Sequence, residues 1–468
     1  MTTTKRTLTM ADRKSLAQVL QQRREKLAAQ FPAPVLLWSG QSSSRNFPAN
    51  TFPFRASSHF LYFAGLPLEN AAIRLEQGKL ALFMDGGSPA SALWHGESPT
   101  PAAIAVQIGA DAVYPLADLK QMAAGCATIL VQDGATRALQ SQLLHRAIAP
   151  IDESDSLDRQ LIQAIVALRL THDHQALEEL RQAAAISVEA HKAGMRATPM
   201  AKTEAEVRAA MEAVILAYNA TTAYTSIVTV HGEVLHNNHY HHALRSGDLL
   251  LADVGAEVPS GWASDITRTW PVSGKFSPTQ RSLYEVVLQA HDRCIAAMRP
   301  GVEYRDIHLL AAQTIAEGLV DLGILRGKAE DLVERDAHAL FFPHGVGHLL
   351  GLDVHDMEDL GDLAGYAEGR TRSDRFGLCY LRLDRPLQPG MLVTIEPGFY
   401  QVPAILNDVD RRETYHDMVN WERLAEFQDV RGIRIEDDVL VTETGTEVLT
   451  KELPTQADAI EQLISQPK

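Results

Sequence analysis

Four acidic side chains stand at the ends of, or inside, stretches that otherwise read as buried strand, and they restrict what this chain can fold into. Asp253 ends the apolar run Leu249-Leu250-Leu251-Ala252, Glu396 follows Val393-Thr394-Ile395, and Glu436 follows Ile433-Arg434-Ile435. Asp265 lies twelve residues beyond Asp253, in Ser264-Asp265-Ile266-Thr267-Arg268-Thr269. A charge in such a run is costly unless it is paired or bound to metal. One acid of this kind is usually an N-cap or a turn residue. Four of them, together with His348 in the segment Pro343-His344-Gly345-Val346-Gly347-His348, point to a fold that gathers carboxylates around cations.

Four carboxylates and one imidazole suit two divalent ions. A carboxylate can bridge, so five side chains can hold two metals about 3.5–4 Å apart. The oxygen-rich set favours Mn²⁺ over a structural zinc site, which would use thiolates. Co²⁺ and Zn²⁺ are compatible with the same donors.

The chain holds 18 histidines, most of them expected at the surface. The run from His236 to His242 reads either as a polar solvated loop, the commoner case, or as part of a site. His344 and His355 flank His348 in a glycine-rich stretch, where glycine allows close backbone approach.

At 468 residues the chain exceeds one ordinary domain, so two are expected. Residues 1–172 read as an α/β layer with buried strands at 34–38, 80–84 and 127–131, separated by helices. No nucleophile, phosphate loop or metal cluster is evident there. A helical stretch is predicted from about Asp155, with Leu177, Leu180, Ala184 and Val188 on one face. Thr203 and Glu206 form a candidate capping box ahead of the stripe Val207, Met211 and Val214. Strands are predicted at 226–230 and 249–258. The order then recurs: a helix from Ser277-Pro278 with the stripe Leu283, Val287, Ala290 and Cys294, a second helix over 306–322, and strands at 391–395 and 434–442. Two copies of helix, helix, strands suggest an internal pseudo-twofold domain.

The balance of 43 basic against 59 acidic residues, a net charge of −16, disfavours nucleic acid, which needs a basic face. Cys126, Cys294 and Cys379 have no CxxC pairing and are expected to be reduced and mostly buried. The first residues have no apolar signal core, and no apolar run approaches the roughly 18 residues of a membrane span. A cytoplasmic protein is expected.

At these residues the chain resembles the proline-peptidase branch of the pita-bread metallopeptidases, a fold family that includes methionine aminopeptidase and creatinase. The matching segments are Asp253-Val254-Gly255, Ser264 to Thr269, His344 to Asp356, Leu387 to Gly398 and Arg434 to Asp438. The resemblance spans about residues 174 to 450. Tyr62-Phe63-Ala64-Gly65 and Leu93-Trp94-His95-Gly96 more weakly resemble the N-terminal domain of aminopeptidase P and prolidase.

The resemblance implies an α+β chain: an aminopeptidase-P-like α/β domain over 1–172 and a pita-bread catalytic domain over 173–468. It implies that Asp253, Asp265, His348, Glu396 and Glu436 hold two metal ions, with Asp265 and Glu436 bridging. His236, His344 and His355 match substrate-side histidines, Arg434 an arginine beside the site, and Tyr224 a tyrosine near the metals. The spacing from Asp253 to Asp265 is one residue longer than expected, which a hairpin insertion explains. Two ions there would lower a water's pKa towards neutrality, with Glu396 carrying the proton and His344 and His355 stabilising the oxyanion or holding substrate. The expected partners are small proline-containing peptides and further copies of the chain, as dimer or tetramer.

Both the His355–Glu396 and Glu396–Glu436 segments are long for an aminopeptidase P and nearer to prolidase. The expected activity is therefore Xaa-Pro dipeptidase, with Xaa-Pro aminopeptidase as the alternative. A non-catalytic pita-bread binding module is a remote reading, because such members lose metal ligands and all five are present.

Overall fold

The computed structural model describes residues 10–148 and 156–466. The chain divides into two compact units, Met1–Leu170 and Thr171–Lys468.

In the first unit, helix Met10–Gln30 precedes a four-stranded sheet ordered Val35–Trp38, Ala72–Glu76, Lys79–Phe83 and Ala112–Tyr114. The strict alternation of strand and helix predicted from sequence does not hold. The second and third strands form a hairpin, closed by Gln77 and Gly78 at φ 51° and 77°. Two positive φ values are what a two-residue turn needs to match strand twist. Only the last pair is parallel, and helix Pro101–Ile108 lies in the crossover between its strands. Leu36, Trp38, Phe83, Cys126, Leu143 and Leu144 pack together in this unit's core.

The predicted strand at 127–131 is reduced to a single bridge at Ala127. Beyond it, side chains satisfy the backbone. Asp158 accepts from the Thr128 amide at 2.9 Å, and Gln140 from the Val131 amide at 3.1 Å. The segment is buried without needing a second neighbouring strand.

The predicted helix start at Asp155 lies outside the described residues. Ser156–Arg169 is helical, and a separate helix, His174–Ala197, begins at an Asp173 cap. Leu180, Ala184 and Val188 on it are buried, whereas Leu177 is half-buried.

The second unit repeats one order twice. Helices His174–Ala197 and Glu204–Ala217 precede an antiparallel sheet of Ile227–Thr229, Leu249–Asp253 and Thr267–Pro271. Helices Pro278–Ala297 and Tyr304–Asp321 precede a sheet of Leu392–Ile395, Asp437–Val441 and Thr446–Val448. Gly398–Tyr400 and Gly432–Arg434 form a separate antiparallel pair. The Ser277 start carries a full capping box with Gln280. The one predicted at Thr203 is absent. Thr203 is bridged to Ala243 and makes no side-chain cap, and Glu206 accepts instead from the Lys202 amide at 3.0 Å.

Two predicted strands are broken, and both breaks matter. The 249–258 run stops at Asp253 and resumes at Ala256. The 434–442 run is interrupted at Ile435 and Glu436. The first leaves Asp253 as the last paired residue of its strand, and the second releases Glu436 from regular pairing. Among the described residues no helix is long and apolar enough to cross a membrane. Cys126 and Cys294 are buried free thiols, and Cys379 is half-buried.

Candidate metal centre

Asp253 and Asp265 sit on the two arms of one hairpin. Asp253 ends its strand opposite Thr267, which places Asp265 just beyond the same register. Gly255 lies in the connecting segment, where a Cβ would fall 1.8 Å from the Ser264 carbonyl oxygen, so no side chain fits. Helix His174–Ala197 braces the strand break. Ser187 Oγ accepts from the Ala256 amide at 2.9 Å, and His191 Nε2 lies 3.0 Å from the Val254 carbonyl oxygen.

Glu396 follows strand Leu392–Ile395, and its amide donates to the Val346 carbonyl at 2.8 Å. The His348 amide donates to Thr394 Oγ1 at 3.1 Å, and the Thr394 amide donates back to the His348 carbonyl at 3.0 Å. Ligand strand and histidine loop are thereby locked together. His348 Nδ1 faces the Leu349 carbonyl oxygen at 3.0 Å, which puts the proton there and leaves Nε2 a free lone pair. That Nε2 lies 3.5 Å from both Asp265 Oδ2 and Glu396 Oε1. Glu436 occupies the break in its strand. Its amide donates to the Thr267 carbonyl at 3.0 Å, and Thr267 Oγ1 donates to its Oε2 at 2.6 Å.

These side chains converge. Asp253, Asp265 and Glu436 place ligand atoms within 4.8 Å of one another, as do His348, Glu396 and Glu436, and Asp265, His348 and His355. Asp253, Asp265, His348 and Glu436 are buried. Burial, reinforced by neighbouring carboxylates, holds Asp265 and Glu436 well above the ordinary carboxylate range, and burial pushes Glu396 up to about 7. Burial also keeps His348 neutral, well below the usual imidazole value. Enclosed, mutually repelling oxygens beside a neutral imidazole nitrogen fit divalent cations, which would relieve the repulsion.

A hydrogen-bonded chain runs along one side. Arg434 Nη2 donates to Asp253 Oδ2 at 2.6 Å, its Nε to Thr267 Oγ1 at 2.9 Å and its Nη1 to the Tyr400 hydroxyl at 3.0 Å. Tyr400 Oη lies 2.8 Å from His344 Nε2, while His344 Nδ1 faces the Gly345 carbonyl oxygen at 2.8 Å. The carbonyl fixes the His344 proton on Nδ1, so Tyr400 donates to Nε2. Burial and the nearby Arg434 charge push His344 down to about 3, so it is neutral at physiological pH. Tyr224 reaches both Asp253 Oδ1 and Asp265 Oδ1 with its hydroxyl.

His355 lies against His348 with ring centres 4.0 Å apart and the rings tilted by 44°, and its Nδ1 lies 3.0 Å from Glu358 Oε2. Arg382 holds that Glu358 at 2.7 and 2.8 Å. His236 is exposed at the rim, within electrostatic reach of Arg434, Asp253, Arg382 and His355. The rest of its histidine run turns elsewhere: His242 Nδ1 lies 2.9 Å from the buried Glu204 carboxylate, and His239 and His241 are exposed.

Sequence reasoning singled out Asp253, Asp265, His348, Glu396, Glu436, His344, His355, Arg434, Tyr224 and His236, and the fold brings the first nine together. It missed Thr267, Tyr400, Asp438 and Arg382. Asp438 accepts from Ser264 Oγ at 2.8 Å and from the Asp265 amide at 3.1 Å. Thr267 and Asp438 each lie two residues beyond a ligand-type acid, Asp265 and Glu436, and that proximity is a usable signal. Arg382 stands in the long segment between His355 and Glu396, which carries no periodicity that would mark it.

Residues 178–443 match metallopeptidase family M24, and residues 20–129 match the aminopeptidase P N-terminal domain. A probable Xaa-Pro aminopeptidase of Pyrenophora teres f. teres is 33% identical over 417 residues, covering 88% of this chain and 87% of its own. The Xaa-Pro dipeptidase of Homo sapiens is 32% identical over 440 residues, covering 91% and 88%. The structure of Pseudomonas aeruginosa aminopeptidase PepP superposes with a TM-score of 0.78 at 28% identity, over 96% of this chain and 98% of that one. With the family match spanning more than half of the chain and the ligand-type residues of its motifs gathered at one centre, this protein belongs to metallopeptidase family M24.

Proposed function

We propose that this chain is a proline-specific metallo-exopeptidase and, within that class, an Xaa-Pro dipeptidase. The observation that carries the reading is the enclosed convergence of Asp253, Asp265, Glu396, Glu436 and the free Nε2 of His348. Those five residues would hold two divalent ions, proposed to be Mn²⁺, which when bound polarise a scissile carbonyl and acidify water. Glu396, whose Oε1 lies 3.5 Å from His348 Nε2 and which is less buried than the other acids of the cluster, is the group assigned to take and return a proton. His355, turned by Glu358, faces the cluster as a candidate donor to developing negative charge. His344, His236, Tyr224 and Arg434 would line and order the substrate face.

The Xaa-Pro bond has no N–H, so its recognition must rest on the free amine, the carbonyl and the ring. A dipeptide also presents a carboxylate one residue beyond the cut. Arg382 acts electrostatically on His236, His344 and Glu396 and is half-exposed, and we assign it as the cation that receives that carboxylate. This supports the dipeptidase reading. The Xaa-Pro aminopeptidase reading is favoured instead by the near-complete superposition on PepP. The proposal includes a cytoplasmic homo-oligomer, dimer or tetramer.

The test is turnover of an Xaa-Pro dipeptide against an Xaa-Pro-Xaa tripeptide by Mn²⁺-loaded protein. Preference for the dipeptide is expected. Cleavage of the tripeptide alone would reassign the protein to the aminopeptidases, and cleavage of neither would defeat the peptidase reading.

A further inference from the structure

Directly behind Glu436 the core holds a second buried guanidinium. Arg268 is fully buried between the two halves of the catalytic unit's sheet structure. Its Nη1 donates to the Glu436 carbonyl at 2.6 Å and the Thr267 carbonyl at 3.0 Å. Its Nη2 donates to Asp437 Oδ1 at 2.7 Å and the Leu453 carbonyl at 3.1 Å, and its Nε to the Pro454 carbonyl at 3.1 Å. Asp437, also buried, accepts from Thr450 Oγ1 at 2.5 Å and lies 3.0 Å from His291 Nε2. His291, on helix Pro278–Ala297, has its other ring nitrogen 3.0 Å from Asp292.

Burying such a group seldom adds stability over apolar packing, because desolvation offsets the attraction. What it does here is geometric. Arg268 neighbours Thr267, whose hydroxyl fixes the Glu436 carboxylate, and Asp437 neighbours Glu436 itself. One guanidinium therefore ties together the carbonyls of both residues that aim and present this carboxylate. The tie spans the strand break, where the backbone is otherwise held by two bonds outside regular pairing, from the Glu436 amide to the Thr267 carbonyl at 3.0 Å and from the Ile435 amide to the Pro397 carbonyl at 3.4 Å.

We infer that Arg268 and Asp437, backed by His291, are positioning residues that set the Glu436 carboxylate for bridging two metal ions. The inference rests on the dinuclear reading above. Outer residues of this kind typically change metal affinity by about 10–100-fold when removed.

The test is Mn²⁺ titration by calorimetry and electron paramagnetic resonance on the full-length protein and on the double variant Arg268→Met/Asp437→Asn. The double variant removes both charges together and leaves neither uncompensated. Wild type is expected to bind two ions and give a spin-coupled spectrum. The folded double variant is expected to lose about 10-fold or more in affinity for at least one ion and to show a weakened or altered coupling. Wild type binding fewer than two ions defeats the dinuclear reading. Wild type binding two, with an unchanged isotherm and spectrum in the variant, overturns this inference alone. If the double variant does not fold, Thr450→Val removes one donor to Asp437. It is expected to shift isotherm and spectrum in the same direction by a smaller factor, and unchanged values in it overturn the inference equally.

Discussion

Arg434 and Asp253 meet at 2.6 Å between side chains that are both largely withdrawn from solvent. The guanidinium takes one oxygen of Asp253, while Tyr224 takes the other. Arg434→Met should therefore leave Asp253 poorly compensated, and breaking a buried pair from one side costs about 3–5 kcal/mol. We expect a lower melting temperature and a fall of about 10²-fold in kcat/KM on an Xaa-Pro peptide, the scale of a lost preorganised donor. Arg434→Lys should recover only part, because a point charge cannot reach Asp253, Thr267 and Tyr400 together. Full kcat/KM in a folded Arg434→Met would show that the guanidinium only braces the fold.

Chelation should abolish activity, with Mn²⁺ restoring it at least as well as Zn²⁺. The metal-free protein should also have a characteristic pH dependence. Glu396 is raised by burial to about 7, and Asp265 and Glu436 are raised in the same direction. Between the unfolded carboxylate range and those raised values the folded state binds more protons than the unfolded state. Its stability from these groups is thus present at about pH 4 and lost as pH rises through 7. Melting curves in chelator should fall from about pH 5 to 8, and saturating Mn²⁺ should flatten the trend. A chelated protein that gains stability over that interval would contradict this.

Glu436→Ala should lose at least one metal per chain, because a bridging carboxylate compensates both ions. Elemental analysis after dialysis is the measurement. Two retained metals would reduce Glu436 to an acid in a strand break.

The two adjacent histidines should separate in their effects. His348 offers a free, buried Nε2 between Asp265 and Glu396, so His348→Ala should lower metal affinity. His355 is half-exposed and held by Glu358, so His355→Ala should keep the metals and lower kcat and kcat/KM together, by about 10²–10³-fold. A metal-depleted His355→Ala beside a metal-replete His348→Ala would reverse these assignments.

Arg382→Ala should raise KM for an Xaa-Pro dipeptide far more than for its C-terminal amide. Equal effects on both would leave Arg382 only as the partner of Glu358.

Much of the centre was legible in the sequence. Acids at the ends of apolar runs announce their own expense, and capping at Ser277-Pro278 and helical stripes such as Val207 and Met211 locate the repeated order. What the sequence did not carry were the breaks. Leu249–Val258 and Arg434–Thr442 read as continuous strands because apolar periodicity measures burial, not pairing. Only the fold decides that they part after Asp253 and at Glu436, since the parting is set by contacts such as Ser187 with Ala256 and Arg268 with the Glu436 carbonyl. For the same reason Tyr400, Asp438 and Arg382 stayed hidden as site residues. Each acts on a residue distant in sequence or across a strand pair, and side-chain reach of that kind exists only once the tertiary structure is made.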